Sequence, residues 1–338
     1  MLSKVDLRNF GPLQRLEWRN LGKINPVIGG NGCGKTFLLK ALYSNMRALE
    51  DYRRGEELRT LSEILAEKLY WTFQADRIGE LVTKGVDQPL YCKIYLDKRL
   101  FRYQFGKDTI KQILRLENHV SPLSSHSIFL PAKEVLSLQP VILKSREQDK
   151  SFGFDNTYLD LARALRDSPQ HGRDYVEFAQ SRKNLEKILG GKVEYDEASG
   201  RWQFKKGNQR FPIGMTAEGV KKIAILDTLL GNRYLSPKSI VFIDEPESAL
   251  HPKAIYDLLE IVALLAERGI QFFLASHSYF VVKKLFLIAQ EREMSLPIIS
   301  DRGNGEWVSA DLKNGMPDNP IINESIRLYE EEVELSLG

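Results

Sequence analysis

The stretch Gly29-Gly30-Asn31-Gly32-Cys33-Gly34-Lys35-Thr36 fits the pattern G-x-x-x-x-G-K-[ST], whose chemistry is the binding of nucleoside triphosphates. Glycines at 29, 30, 32 and 34 permit a tight turn that brings backbone N–H groups close to phosphate oxygens. Lys35 supplies a mobile positive charge for the β- and γ-phosphates, and the Thr36 hydroxyl can ligate Mg2+. Phe37 completes the nucleotide-binding stretch and opens an apolar run at helical spacing, Phe37-Leu38-Leu39-Lys40-Ala41-Leu42, so a helix N-terminus faces the anion. Far along the chain, Asp244 and Glu245 stand at the end of the apolar run Ile240-Val241-Phe242-Ile243. In phosphoryl transfer such a pair divides the work. Asp244 holds Mg2+, often through water, while Glu245 orients or deprotonates the attacking water.

These residues need strands and helices to position them, and the surrounding pattern supplies both. Ile24-Asn25-Pro26-Val27-Ile28 reads as a short buried strand running into the glycine loop, which is the strand–loop–helix setting the motif requires. Helical pattern follows from Phe37 to about Leu69, with a charged interval over 50–57. Aromatic alternation at Leu90–Leu96 and Leu100–Phe105 predicts a hairpin, as do Lys192–Tyr195 and Arg201–Phe204. Ser127–Leu130 reads as a further strand ended by Pro131. A polar helical block runs from Glu134 to Leu189, broken at Phe152-Gly153-Phe154 and Ser168-Pro169. Gly219–Leu230 and Ala254–Arg268 read as helices, and the uninterrupted apolar runs Ser239–Ile243 and Gln271–Ala275 as buried parallel strands. The class is α/β, with residues 1–134 and 216–320 forming one core, 135–215 inserted in it, and 321–338 a terminal helix.

The 338 residues are 43% hydrophobic and 28% charged, ordinary values for a soluble globular chain. A net charge of +3 permits a nucleic-acid contact without arguing for one. Cys33 and Cys92 give neither a disulfide framework nor metal spacing, and a reducing cytoplasm is the default expectation. No apolar run reaches the length a membrane span needs, so no membrane partner is expected.

Asp244-Glu245-Pro246-Glu247-Ser248-Ala249-Leu250-His251-Pro252 resembles the Asp-Glu-Pro-Glu-x-x-Leu-His-Pro motif of ABC-type ATPase heads, in the branch of structural-maintenance (SMC), RecF-like and overcoming-lysogenization-defect ATPases. Asn9-Phe10-Gly11-Pro12 and Leu274-Ala275-Ser276-His277-Ser278 are similar to that branch as well. The resemblance implies a P-loop NTPase fold of ABC type, with an antiparallel β layer and an inserted helical subdomain. It implies that Asp244 is the metal-binding acid, that Glu245 and His277 are catalytic (His277 as the switch near the γ-phosphate), and that 248–251 face a partner subunit. The usual signature loop is replaced by Met215–Lys222, where Thr216 and Gly219 are the candidate nucleotide contacts. Lys133 or Glu134 takes the place of the Mg2+-sensing glutamine, or else Glu134 merely caps a helix. His251 is expected to cap or bridge its own loop, and His119, His126 and His171 to be surface residues.

ATP and Mg2+ are the implied ligands, and a homodimer or higher homo-oligomer closed around ATP the implied assembly. Short heads of this kind, such as the PtuA-like ATPases, accompany a separately encoded effector, a nuclease or toxin, in bacterial anti-phage systems. The alternative is a DNA-clamping ATPase of the RecF kind, with Lys144, Arg146 and Lys150, or Arg201, Lys205, Lys206 and Arg210, on phosphates; the same residues also suit plain solvated faces. The altered signature loop predicts slow ATP turnover.

Overall fold

A computed structural model of the chain describes residues 1–166, 176–303 and 305–337. The break expected at Ser168-Pro169 and the surface position expected for His171 lie outside the described residues. The central sheet has six strands in the order β14 (Trp307–Asp311), β13 (Pro297–Asp301), β3 (Ile24–Ile28), β12 (Gln271–Ser276), β11 (Ile240–Asp244) and β7 (Ser127–Leu130). Only the β13–β14 pair is antiparallel. Side chains alternate across this sheet. Ile240 and Phe242 enter one core, Val241 and Ile243 the other. Both faces are covered, so the parallel strands have no polar side and read as unbroken apolar runs.

Two residues of β3 look wrong for a buried strand and are accommodated locally. Asn25 is buried, yet its amide accepts from Gly22 N–H and donates to the Gly22 and Phe272 carbonyls at 2.8–3.0 Å. Pro26 lacks a donor, and β13 begins to pair only at Val27, one residue beyond it.

On one face lie α1 (Lys35–Asp51), α2 (Leu61–Phe73) and a five-stranded antiparallel sheet of order β2 (Leu13–Trp18), β1 (Leu2–Phe10), β4 (Leu90–Leu96), β5 (Arg99–Phe105) and β6 (Arg115–Asn118). Helix α1 runs through the core between the two sheets. Its Tyr43 ring packs edge-on against Phe129 and Phe242, and Asn45 reaches Cys92 on β4. Most of its residues are buried, Ser44, Asn45 and Glu50 among them, so the helix is enclosed on most sides although it is not apolar all round. Gln271 joins the layers, accepting from Leu2 N–H and donating to Leu2 and Gly22 carbonyls.

The opposite face carries α4 (Asn156–Ala164), α5 (Val176–Leu189), α6 (Glu218–Gly231), α7 (Pro252–Glu267) and α8 (Tyr279–Glu291), with α3 (Gln139–Leu143) leading into a π-helical turn, Lys144–Gln148. The second expected hairpin, β8 (Lys192–Asp196) with β9 (Arg201–Lys206), gains a third strand, β10 (Gln209–Pro212). Trp202 on β9 donates to Gln139, whose amide donates on to Ala162 of α4. Leu161, Trp202 and Ile213 therefore join the same core as β11. The chain closes on α9 (Pro320–Leu337), of which Ile322 is buried while Ile326, Tyr329 and Leu335 are exposed. Among the described residues no helix is long and apolar enough to cross a membrane.

Candidate functional site

The glycine loop leaves the C-terminal end of β3 and enters α1, with Gly32 and Gly34 at φ of 79° and 104°. That left-handed backbone favours glycine, and it turns the chain at Gly34, which caps α1 without any side-chain bond to the first helical N–H groups. Lys35 is buried and donates to the Gly29 and Gly30 carbonyls at 2.8 and 2.7 Å. An ammonium carries three N–H donors, so one remains for a ligand oxygen. Thr36 donates to both carboxylate oxygens of Asp244, at 2.9 and 3.0 Å. A residue of the loop and the acid at the end of β11 thus form one cluster of hard oxygen donors, of the kind Mg2+ prefers. Asp244 is buried, and burial pushes its carboxyl above the usual aspartate range, offset in part by the Thr36 hydroxyl. Phe37 differs from its expected place at the nucleotide. Its ring packs on Phe10 and Phe73, at 5.4 and 4.5 Å between centroids.

Gly30, Asn31, Gly32 and Cys33 line a cleft of about 810 Å3 that His277 and Asp301 also line. This is within the size range of ligand clefts. His277 follows β12, with its Nδ1 3.6 Å from Glu245 and 3.8 Å from Glu247. Glu247 grips the same turn more directly, accepting from Ser276 Oγ at 2.7 Å and His277 N–H at 3.3 Å. Its other oxygen is buried without a hydrogen-bond partner among the described residues. Glu245 and Ala249 both adopt left-handed backbone, φ 47° and 60°. For residues with a Cβ this costs on the order of 1–2 kcal/mol each, and such strain concentrates at functional turns.

Lys222 of α6 is buried and reaches the carbonyls of Asp244, at 3.3 Å, and Glu245. Burial lowers its ammonium to about 8, against the pull of Glu247, Asp244 and Glu245. The start of α6 is exposed, but the expected contacts there are engaged within the chain. Thr216 Oγ1 donates to the Ile213 carbonyl. Gly219 is buried, and a Cβ on it would lie 2.6 Å from Leu250 and 2.9 Å from the Ala249 carbonyl. Its glycine is demanded by the 248–251 loop, which explains the residue without a nucleotide. Glu134 accepts from Ser137 in the turn before α3 and lies 3.6 Å from Lys221; the N-cap of α3 is Leu138, which has no side-chain bond, so Glu134 is not that helix's cap. Lys133 is exposed. His251 caps α7, its Nδ1 accepting from Lys253 N–H at 3.2 Å. His126 is not a plain surface residue: it is half-buried, stacked on Tyr234 and bonded to Arg54, and burial lowers it to about 4.

A family model described as "AAA domain, putative AbiEii toxin, Type IV TA system" matches residues 95–283, more than half of the chain. The chain belongs to this AAA-domain family. The matched span carries Asp244, Glu245, Glu247 and His277, and the glycine loop precedes it. No curated protein matches. Among solved structures, the AAA-domain chain is similar to an SMC head crystallised with the C-winged helix domain of ScpA (TM-score 0.55, 14% identity, 93% of this chain and 98% of that one). It is likewise similar to a Pyrococcus furiosus SMC head with an extended coiled coil, bound to the C-terminal domain of ScpA (TM-score 0.52, 14% identity, 96% and 99%). The fold is thus that of the ABC-type P-loop ATPases, with its antiparallel β layer.

Glu247, Lys222 and Asp301 were not singled out by sequence reasoning. Glu247 was legible in principle, as the fourth residue of Asp-Glu-Pro-Glu. Lys222 was one of two adjacent lysines, and only the fold tells which of them is turned inward to the acids. Asp301 offers no sequence signal, since it joins the loop only through the β13–β3 pairing.

Proposed function

We propose that this AAA-domain chain hydrolyses ATP and is a nucleotide-driven switch, two copies closing around ATP to control a separately encoded effector, a nuclease or toxin, in bacterial anti-phage defence. The observation that carries it is the Thr36–Asp244 pairing, at 2.9 and 3.0 Å, with Glu245 and His277 beside it on adjacent strand ends. Thr36 and Asp244 would hold Mg2+, which when bound offsets negative charge on the β- and γ-phosphate oxygens. Lys35 and the uncapped N–H groups of α1 bind the phosphates, Glu245 accepts a proton from water, and His277 orients that water or the γ-phosphate. The exposed start of α6 completes the site of the partner copy. It has no side-chain N-cap and its Thr216 hydroxyl is already bonded, which supports slow turnover.

The test is light scattering on the Glu245→Gln protein with and without ATP·Mg2+. A doubled mass with ATP is expected; a mass unchanged by ATP would sink the ATP-closed dimer. A second reading, a DNA-binding ATPase of the RecF or SMC kind, is favoured by Arg201, Lys205, Lys206 and Arg210, which form no ion pair among the described residues. Duplex affinity falling steeply with salt would support it. Arg146 drops out of that reading, because it is buried.

A further inference from the structure

Arg146 is a buried cation with no acid at ion-pair distance among the described residues; Asp155, Asp160 and Glu67 act on it only from farther off. It lies in the π-helical turn, its guanidinium 4.0 Å over the Trp71 ring of α2, and its bonds go to neutral oxygens of Phe154 and Asn156. Its Nε is buried with no partner among the described residues. Arg146 borders a pocket of about 320 Å3 between α2, the π turn and α4. The other charges on that wall are matched from outside it. Lys68 pairs with Asp51 at 2.6 Å and Arg163 with Glu147 at 2.8 Å. Asp160 is held by Tyr43 and Arg47, and Glu67 by Arg59. Lys150, exposed on the rim with left-handed φ of 49°, has no ion pair among the described residues. Among the described residues Arg146 and Lys150 are therefore the two cations of this wall without an ion pair.

We propose that this pocket is a second anion site, separate from the phosphate loop, which binds a small phosphorylated molecule of mononucleotide size or less. A buried guanidinium without an ion pair is costly, and an entering phosphoryl group would give it and Lys150 charge-assisted bonds. A concave wall of this volume, at the low end for ligand sites, admits a small molecule, whereas duplex DNA cannot reach a buried Arg146. Its occupant also lies one step from the phosphate-loop helix. Asn156, which holds Arg146, follows Asp155, and Asp155 pairs with Lys40 of α1 at 2.6 Å.

Calorimetric titration of the Lys35→Ala protein with pyrophosphate, and separately with AMP, tests the site without the phosphate loop. Saturable binding of one ligand per chain is expected for at least one probe. Lys150→Glu, an exposed change expected to leave thermal unfolding unaltered, should weaken it by about tenfold or more. Arg146→Gln is less useful alone because its loss disturbs packing on Trp71. Three results would overturn the site: no binding of either probe at millimolar concentration, binding that Lys150→Glu leaves unchanged, or binding only of a single-stranded oligonucleotide.

Discussion

Two carboxylates stand near the switch histidine, and their surroundings differ. Glu245 is the more open of the two, while Glu247 is nearly buried and holds both the Ser276 hydroxyl and the His277 backbone. Glu245 is placed to meet water, and Glu247 to fix the turn that aims the imidazole. Removing a buried acceptor leaves its donors unsatisfied at about 1–3 kcal/mol. Glu247→Ala should therefore lower turnover while ATP affinity is retained, and Glu247→Gln, which keeps one oxygen for Ser276, should recover much of the loss. The split between kcat and ATP affinity separates positioning from mere stability: kcat should fall in Glu247→Ala at temperatures where the variant is fully folded. If kcat holds at the wild-type level there, and only the melting temperature falls, Glu247 has no part in aiming the histidine.

Among the elements, α1 shows how far a local pattern reaches. Its start, the preceding β3 and the buried β11 and β12 were all legible, because glycine spacing and unbroken apolar runs are written in consecutive residues. The edge strands β6 and β10, Arg115-Leu116-Glu117-Asn118 and Gln209-Arg210-Phe211-Pro212, were not. They are short and polar, and extended only because β5 and β9 supply the ladder. The C-terminal end of α1 was opaque for a related reason. The charge run over 50–57 suits a solvated face or a loop, yet Glu50 is buried beside Arg47 at 2.9 Å, with Asp160 of α4 on the same guanidinium. Burial outweighs that pairing and pushes Glu50 up to about 7. A carboxyl raised in the folded state favours folding below its unfolded value near 4.5, and this contribution is lost as pH climbs toward 7. Urea unfolding at pH 5 and pH 8 should show Glu50→Gln gaining on the wild type at the higher pH, by about 2 kcal/mol. An equal difference at the two pH values would mean that Glu50 is ionised throughout.

At the scale of the whole molecule, the chain builds half of each proposed site. The phosphate loop, Asp244, Glu245 and His277 converge within one chain, whereas at the start of α6 Gly219 is packed on Leu250 while Ala217 and Glu218 are exposed. If two copies close around ATP, damage to opposite halves should be repaired by mixing. Ala217→Asp is a clean lesion for the second half. Ala217 is the exposed N-cap of α6, and aspartate there strengthens the helix while repelling an incoming phosphate. Glu245→Gln damages the first half and leaves ATP bound. Each variant alone should be nearly inactive, but an equal mixture forms heterodimers with one intact composite site. About a quarter of the wild-type sites are then whole, and activity should return to about that level. Ala217→Asp at full activity on its own would free α6 from the site. An inactive mixture whose chains do form heterodimers would show that the two halves do not meet across copies.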